Sequence, residues 1–312
     1  MTQPDSKHFT LERLSDGAYA AIHREGGWAI ANAGFIDLGD ATVVFDTFLT
    51  AEAAGDLRTA AEAVTGRPVD KVINSHYHND HIWGNQVFKA SSAIISTIEA
   101  RLLIQTNGKE EYDWYRGHSS SRLLELQNEF GAVDDIQKRQ AIREWITYYE
   151  GLVDSMPSLE VCLPNLAFAE RLDILGTDRS VELISFRNGH TGSDTILFVP
   201  SDKIIFMSDL LFVGCHPYLA DGDPEALSSI LARISSFDAE IFVPGHGPVG
   251  TRRDLDMMND YVKACHHAAA ALVGAGIGSE GFVTLEVPRR FRDWKFPSFF
   301  QANVRSLLER MV

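Results

Sequence analysis

The chain has 312 residues, 45% of them hydrophobic and 23% charged, which is the balance of a soluble globular protein with room for a sizeable core. Its formal net charge is -15, with no run of Lys or Arg to offset it. An acidic surface repels phosphate backbones and anionic lipid headgroups, so neither nucleic acid nor a membrane is expected as a partner.

Three cysteines, Cys162, Cys215 and Cys265, lie far apart and in no metal-binding spacing. That pattern argues against a disulfide framework and for a reducing compartment. The N-terminal MTQPDSKHFTLERL has no apolar core, and no apolar run reaches the ~20 residues of a membrane span. The expectation is a soluble, cytoplasmic protein.

The first third reads as short strands at 17–22, 29–38 and 41–45, then an alanine-rich helix at 51–64 and a strand at 69–73. A histidine-rich loop and a strand at 93–98 follow. Residues from about 99 to 157 change to helical spacing, with Leu123, Leu126 and Phe130 on one face and Ile142, Trp145, Ile146, Tyr149 and Leu152 on another. This reads as a helical insertion between two strand-rich halves. The second half resumes with strands at 181–186, 195–199 and 203–207, the last two joined through Pro200, Ser201 and Asp202. Asp223 followed by Pro224 starts a helix. A strand at 240–243 precedes a helix through Met258, Tyr261, Cys265 and Leu272 that stops near Gly274, and 298–312 closes the chain as a helix within a helical region from about 253. No repeat appears. The fold class is α/β, with sheets inside and helices outside, read as one domain over 1–312.

Chemistry concentrates where strands end. The loop after 69–73 carries His76, His78, Asp80 and His81; Asp46 closes the strand at 41–45; His190, Asp209 and His246 each follow another apolar run. Strand ends share one sheet edge, so these residues can meet. Neutral imidazole and carboxylate suit zinc, manganese or ferrous iron. In extended chain His76 and His78 point the same way and could grip one ion, while Asp80 and His81 could turn toward a second.

These motifs resemble the metallo-β-lactamase fold superfamily. His76, His78, Asp80 and His81 form the His-x-His-x-Asp-His motif. Asp46, His190 (in Gly189-His190-Thr191-Gly192), Asp209 and His246 (in Pro244-Gly245-His246-Gly247) follow the family order. The resemblance implies a four-layer αβ/βα sandwich and two divalent metals, zinc first, with iron or manganese as alternatives. His76, His78 and His190 would hold one metal, and Asp80, His81 and His246 the other. Asp209 would bridge them, placing Asp80 and Asp209 at the catalytic centre, and Asp46 would orient a ligand from behind. Two departures, Asp194 where a second histidine is common and Ser208 where glycine is common, remove no ligand.

The implied activity is a dinuclear metal-dependent hydrolase in which hydroxide held between the metals attacks an ester, thioester or lactone carbonyl of a small molecule. Alternatives on the same fold are an iron-dependent persulfide dioxygenase and a β-lactamase-like amide hydrolase; Asp209 and the polar N-terminus argue against the latter. A metal-stabilised scaffold is a third reading, and a homo-oligomer stays open. His216 and Tyr218, close after Asp209, are candidate substrate contacts. His118, His266 and His267 read as solvated helix residues, and the aromatic set around Tyr112, Trp114, Tyr115 and Trp145 as packing.

Overall fold

Alternation along the strands sorts apolar side chains onto two faces of each sheet. The computed structural model describes residues 6–278 and 285–311. The start of the N-terminal reading, residues 279–284 of the C-terminal helical region, and Val312 therefore lie outside the described residues.

Seven strands form the first sheet in chain order: β1 (Phe9–Arg13), β2 (Ala18–His23), β3 (Ala33–Asp37), β4 (Thr42–Phe45), β5 (Lys71–Ile73), β6 (Ala93–Thr97) and β7 (Leu166–Phe168). Pairing is antiparallel from β1 to β4 and parallel from β4 to β7. The second sheet runs β12-β11-β10-β9-β8, from β8 (Arg171–Ile174), β9 (Val181–Phe186), β10 (Asp194–Val199), β11 (Ile204–Phe212) and β12 (Ile241–His246). Only β11 and β12 are parallel there.

Ala18, Ala20, Val43 and Phe45 of the first sheet meet Leu197, Val199, Ile204 and Phe206 of the second in one buried layer. The alternate residues face outward. Tyr19, Ala21 and Val44 pack under α1 (Ala51–Thr65). Ile196, Phe198, Ile205 and Met207 pack under α6 (Pro224–Ile234), α7 (Arg252–Gly274) and α8 (Ser298–Met311). The result is the four-layer αβ/βα sandwich. Helix ends follow local chemistry. Thr50 accepts the Ala53 N–H, Gly66 closes α1 at φ 70, and Asp223 accepts the Glu225 and Ala226 N–H groups with Pro224 next in line.

The expected insertion consists of α3 (Ile98–Gln105), α4 (Asn107–Ala132) and α5 (Ile136–Ser155), and it has its own cluster through Leu126, Tyr148, Tyr149 and Leu152 that reaches Trp83 and Ile82. Five elements depart from the sequence reading. The strands β1, β7 and β8 were not expected; each is three to five residues long and half exposed, so its apolar signal is short. β3 starts at Ala33 rather than at 29, because Ile30 takes φ 67, which no strand accommodates. β11 continues past Asp209 to Phe212 instead of ending at 207, with register shifts against β12 on both sides of Ser208.

Phe206 is 1% exposed, lies 6.0 Å from the Phe45 ring, and packs over Gly34, where a Cβ would come within 2.2 Å of its ring. Phe206→Ala opens that contact between sheets. A loss of about 3–5 kcal/mol is expected in urea denaturation; an unchanged midpoint would contradict this core.

Candidate metal centre

The site is assembled where β4, β5, β9 and β12 end and β11 bulges. After β5, Asn74 pairs its side-chain amide reciprocally with that of Asn85 at 2.9 Å, which fixes the loop that follows. His76 follows at a bend, His78 is extended, and α2 (Asn79–Ile82) begins at once and carries Asp80 and His81. A β-bulge re-aims side chains. At the irregular β11–β12 pairing Ser208 takes φ 48, and Asp209 is carried into the space between the histidines. Gly245 is required beside it, since a Cβ there would stand 1.8 Å from Asp209 Oδ1.

The two oxygens of Asp209 face different groups. Oδ2 lies 3.2 Å from His190 Nε2 and 3.9 Å from His76 Nε2. Oδ1 lies 3.2 Å from His81 Nε2 and 3.4 Å from His246 Nε2. His78 Nδ1 is 3.0 Å from His190 Nε2, and Asp80 Oδ2 is 3.4 Å from His246 Nε2. Two groups of ligand atoms result, each within 4.8 Å: His76, His78, His190 and Asp209, and Asp80, His81 and His246. Either could hold a metal ion.

The donor set fits such an ion. His76 Nε2, His81 Nε2 and Asp209 Oδ1 are buried without a hydrogen-bond partner. Buried polar atoms left so are costly, and a cation is the partner that several convergent lone pairs can share.

Surrounding residues set the tautomers. Asp46, buried at φ 61, accepts from the Ser75 N–H at 2.8 Å, and from the Ser75 and Ser208 hydroxyls at 2.8 and 2.9 Å. Its Oδ2 also lies 2.9 Å from His81 Nδ1. A carboxylate only accepts, so Nδ1 carries the proton and Nε2 keeps its lone pair for the site. Ser75 Oγ stands 2.8 Å from His76 Nδ1 and does the same for His76. His78 Nε2 lies 3.0 Å from Asp221 Oδ2, which the Tyr77 hydroxyl also donates to at 2.6 Å, leaving Nδ1 of His78 inward. Asp194 accepts from the N–H groups of His190 and Thr191 and from the Thr191 hydroxyl, at 2.9, 3.0 and 2.7 Å, and so clamps the loop that carries His190.

The electrostatics follow. Burial, with His81 and His78 nearby, holds His76 well below the usual imidazole range, and burial sets His190 at about 3. Burial opposes the charge on Asp209 too, but His246, His81 and His190 outweigh it and hold its carboxyl well below the ordinary value.

All seven expected ligands and Asp46 thus lie together. Tyr218 and His216 both line the adjoining cleft. His216 is fully buried, its Nδ1 3.0 Å from the Tyr261 hydroxyl and its ring edge-on to Trp294 and Tyr261. Its polar contact is with the C-terminal helices. Asp221 and Glu111 were not singled out from sequence. Asp221 sits in an irregular loop, and Glu111 on a helix rich in polar residues, so neither stands out in a pattern.

The cleft over the site has a volume of about 1620 Å³ and runs between the insertion, the loop after β11 and the segment before α8. Among the described residues no helix is long and apolar enough to cross a membrane.

Residues 26–246 match the family model of the metallo-beta-lactamase superfamily. The chain belongs to that superfamily, whose members are mostly metal-dependent hydrolases. No curated protein sequence matches it. Solved structures similar to it include a metallo-beta-lactamase from Pontibacter korlensis, at 15% identity and TM-score 0.60, covering 82% of this chain and 99% of that one. Another, from Hirschia baltica, is 14% identical with TM-score 0.58, covering 82% and 98%. A third, FIM-1 from Pseudomonas aeruginosa in a mono-zinc form, is 13% identical with TM-score 0.60, covering 84% and 98%. At these identities the likeness is one of fold.

Burial, with Asp80 and Asp221 adding and His78 opposing, pushes Glu111 up to about 7 from an ordinary 4.5. An unfolded chain ionises this group first, so it destabilises the fold increasingly as pH rises from about 4.5 to about 7 and no further above. In chelator-stripped protein the melting temperature of Glu111→Gln relative to wild type is therefore expected to climb over that window and then level. A difference that is flat with pH, or that falls, would contradict this environment.

Proposed function

We propose that the protein is a dinuclear metal-dependent hydrolase that cleaves an ester, thioester or lactone of a small molecule. The observation that carries the reading is the division of Asp209, one oxygen toward His190 and His76 and the other toward His81 and His246. A single carboxylate so placed suits two cations side by side. His76, His78 and His190 would hold the first and Asp80, His81 and His246 the second, with zinc the metal that best suits imidazole and carboxylate together.

When bound by these residues, two cations would supply Lewis acidity and would lower the pKa of water toward neutrality. The chain's own residues do the rest. Asp46, Ser75 and Ser208 hold His81 and His76 with their Nε2 lone pairs inward. Asp221 and Tyr77 hold His78 the other way round. Asp80, which lines the cleft, is the carboxylate that would accept a proton beside the reacting centre. The roof of α4 and α5 excludes bulk water and receives the body of the substrate. Water activated by metal makes a side-chain nucleophile unnecessary, and no Gly-x-Ser-x-Gly motif occurs in the sequence.

Asp46→Asn keeps the shape but replaces an acceptor oxygen with an NH₂ group facing three donors. Metal affinity, read by competition with a chromophoric chelator, is expected to drop about 10–100-fold; unchanged affinity would remove Asp46 from this role. A panel of p-nitrophenyl esters, acyl thioesters and lactones tests the reaction. Turnover of at least one class that vanishes with a chelator and returns with zinc is expected. Turnover that survives complete metal removal would overturn the reading.

A further inference from the structure

Glu111 lies outside the ligand set, on α4, facing the same cleft. Its Oε2 is buried and has no hydrogen-bond partner. In its ionised form this oxygen accepts and cannot donate, so without a donor it leaves a hydrogen bond for a ligand to make. The cleft's own cations do not make it. Lys295 is ion-paired with Glu144 at 2.9 Å, and Arg143 sits over the Phe130 ring at 4.9 Å.

The walls around Glu111 have a consistent character. Trp114, Tyr115, Tyr148, Tyr218 and Phe299 line the cleft, and Tyr115 stands 5.1 Å from Trp114 and 5.8 Å from Tyr148. Aromatic faces attract cations and accept apolar surface. Glu25, Glu110 and Glu150 line the same space. An anionic group would meet carboxylates there; a positively charged one would meet a vacant acceptor and π faces.

We propose that Glu111 is the receptor for an ammonium group on the substrate, a primary or secondary amine whose N–H donates to Oε2 while an apolar or aromatic body lies against the insertion. This names the substrate class for the hydrolase reading above and rests on it. Glu111 touches the substrate away from the bond that is cut.

The test is calorimetric binding of 2-phenylethylammonium and of neutral 2-phenylethanol to the metal-loaded protein and to Glu111→Gln, with metal content measured on both. Wild type is expected to bind the ammonium about tenfold or more tightly than the alcohol, as a charge-assisted hydrogen bond provides. Glu111→Gln is expected to lose that preference with its metal content unchanged. Equal binding of the two probes to wild type overturns the proposal, and needs no variant to fold. So does a preference that persists in Glu111→Gln, since an amine ligating the metal would behave that way. Loss of metal in Glu111→Gln also overturns it, by assigning Glu111 to the metal centre. An ammonium preference without ester, thioester or lactone turnover would leave the subsite standing and the hydrolase reading fallen. Turnover of neutral esters without the preference would do the reverse.

Discussion

A buried carboxylate shared between two groups of histidines sets the terms for this molecule. Asp209 sits where its two oxygens face opposite ways, His190 and His76 on one side and His81 and His246 on the other. Removing such a charge from water costs several kcal/mol unless it is compensated, and convergent imidazole lone pairs cannot compensate one another. The arrangement makes physical sense with positive charge in it. Much of the surrounding structure serves to keep these atoms where they are.

That placement depends on the two sheets meeting at one edge. The apolar layer between them, through Phe45, Leu197, Ile204 and Phe206, fixes the ends of β4 and β5 against the bulge in β11. Asp46 reaches across this junction. It touches Ser75 after β5, Ser208 on β11 and His81 on α2, so it ties together three segments that the chain delivers separately. Asn32 adds a further tie, donating to the carbonyls of Pro244 and Gly247 on either side of His246. The backbone at Asp46 and Ser208 takes positive φ, a conformation that non-glycine residues hold only when their surroundings enforce it. Here those surroundings are the hydrogen bonds that orient the site.

How far the sequence discloses this varies with the range of the signal. His76, His78, Asp80 and His81 are legible because four candidate ligands fall within one short loop after a buried strand. His190, Asp209 and His246 are legible only as residues at strand ends in a familiar order, since each alone is an ordinary polar residue. Sheets inside and helices outside follow from the apolar runs of β2, β4, β10 and β11, the four-layer arrangement only from the family resemblance, and α6 from Asp223 and Pro224. What was not legible depended on contacts remote in sequence. The continuation of β11 past Asp209 comes from its pairing with β12. The strands β7 and β8 are short segments recruited to sheet edges. Asp221 acquires its role from His78 and Tyr77, and Asp194, first met only as a departure from the family pattern, from the loop it clamps. Glu111 resembles any polar residue of a solvated helix until the fold turns it inward.

The insertion roofs the candidate site. It closes the cleft with aromatic rings and carboxylates, while the ligands below follow the superfamily order. On the proposed reading, chemistry belongs to the sheet edge and selectivity to the helical roof. The two groups of ligand atoms at the sheet edge are best probed by metal content per chain. Protein purified without added metal, and then Asp209→Ala, would be measured by inductively coupled plasma mass spectrometry. The account requires two divalent ions per wild-type chain and the loss of both sites' occupancy when Asp209 is removed. One iron per chain, no metal at all, or two ions undisturbed by the substitution would contradict it.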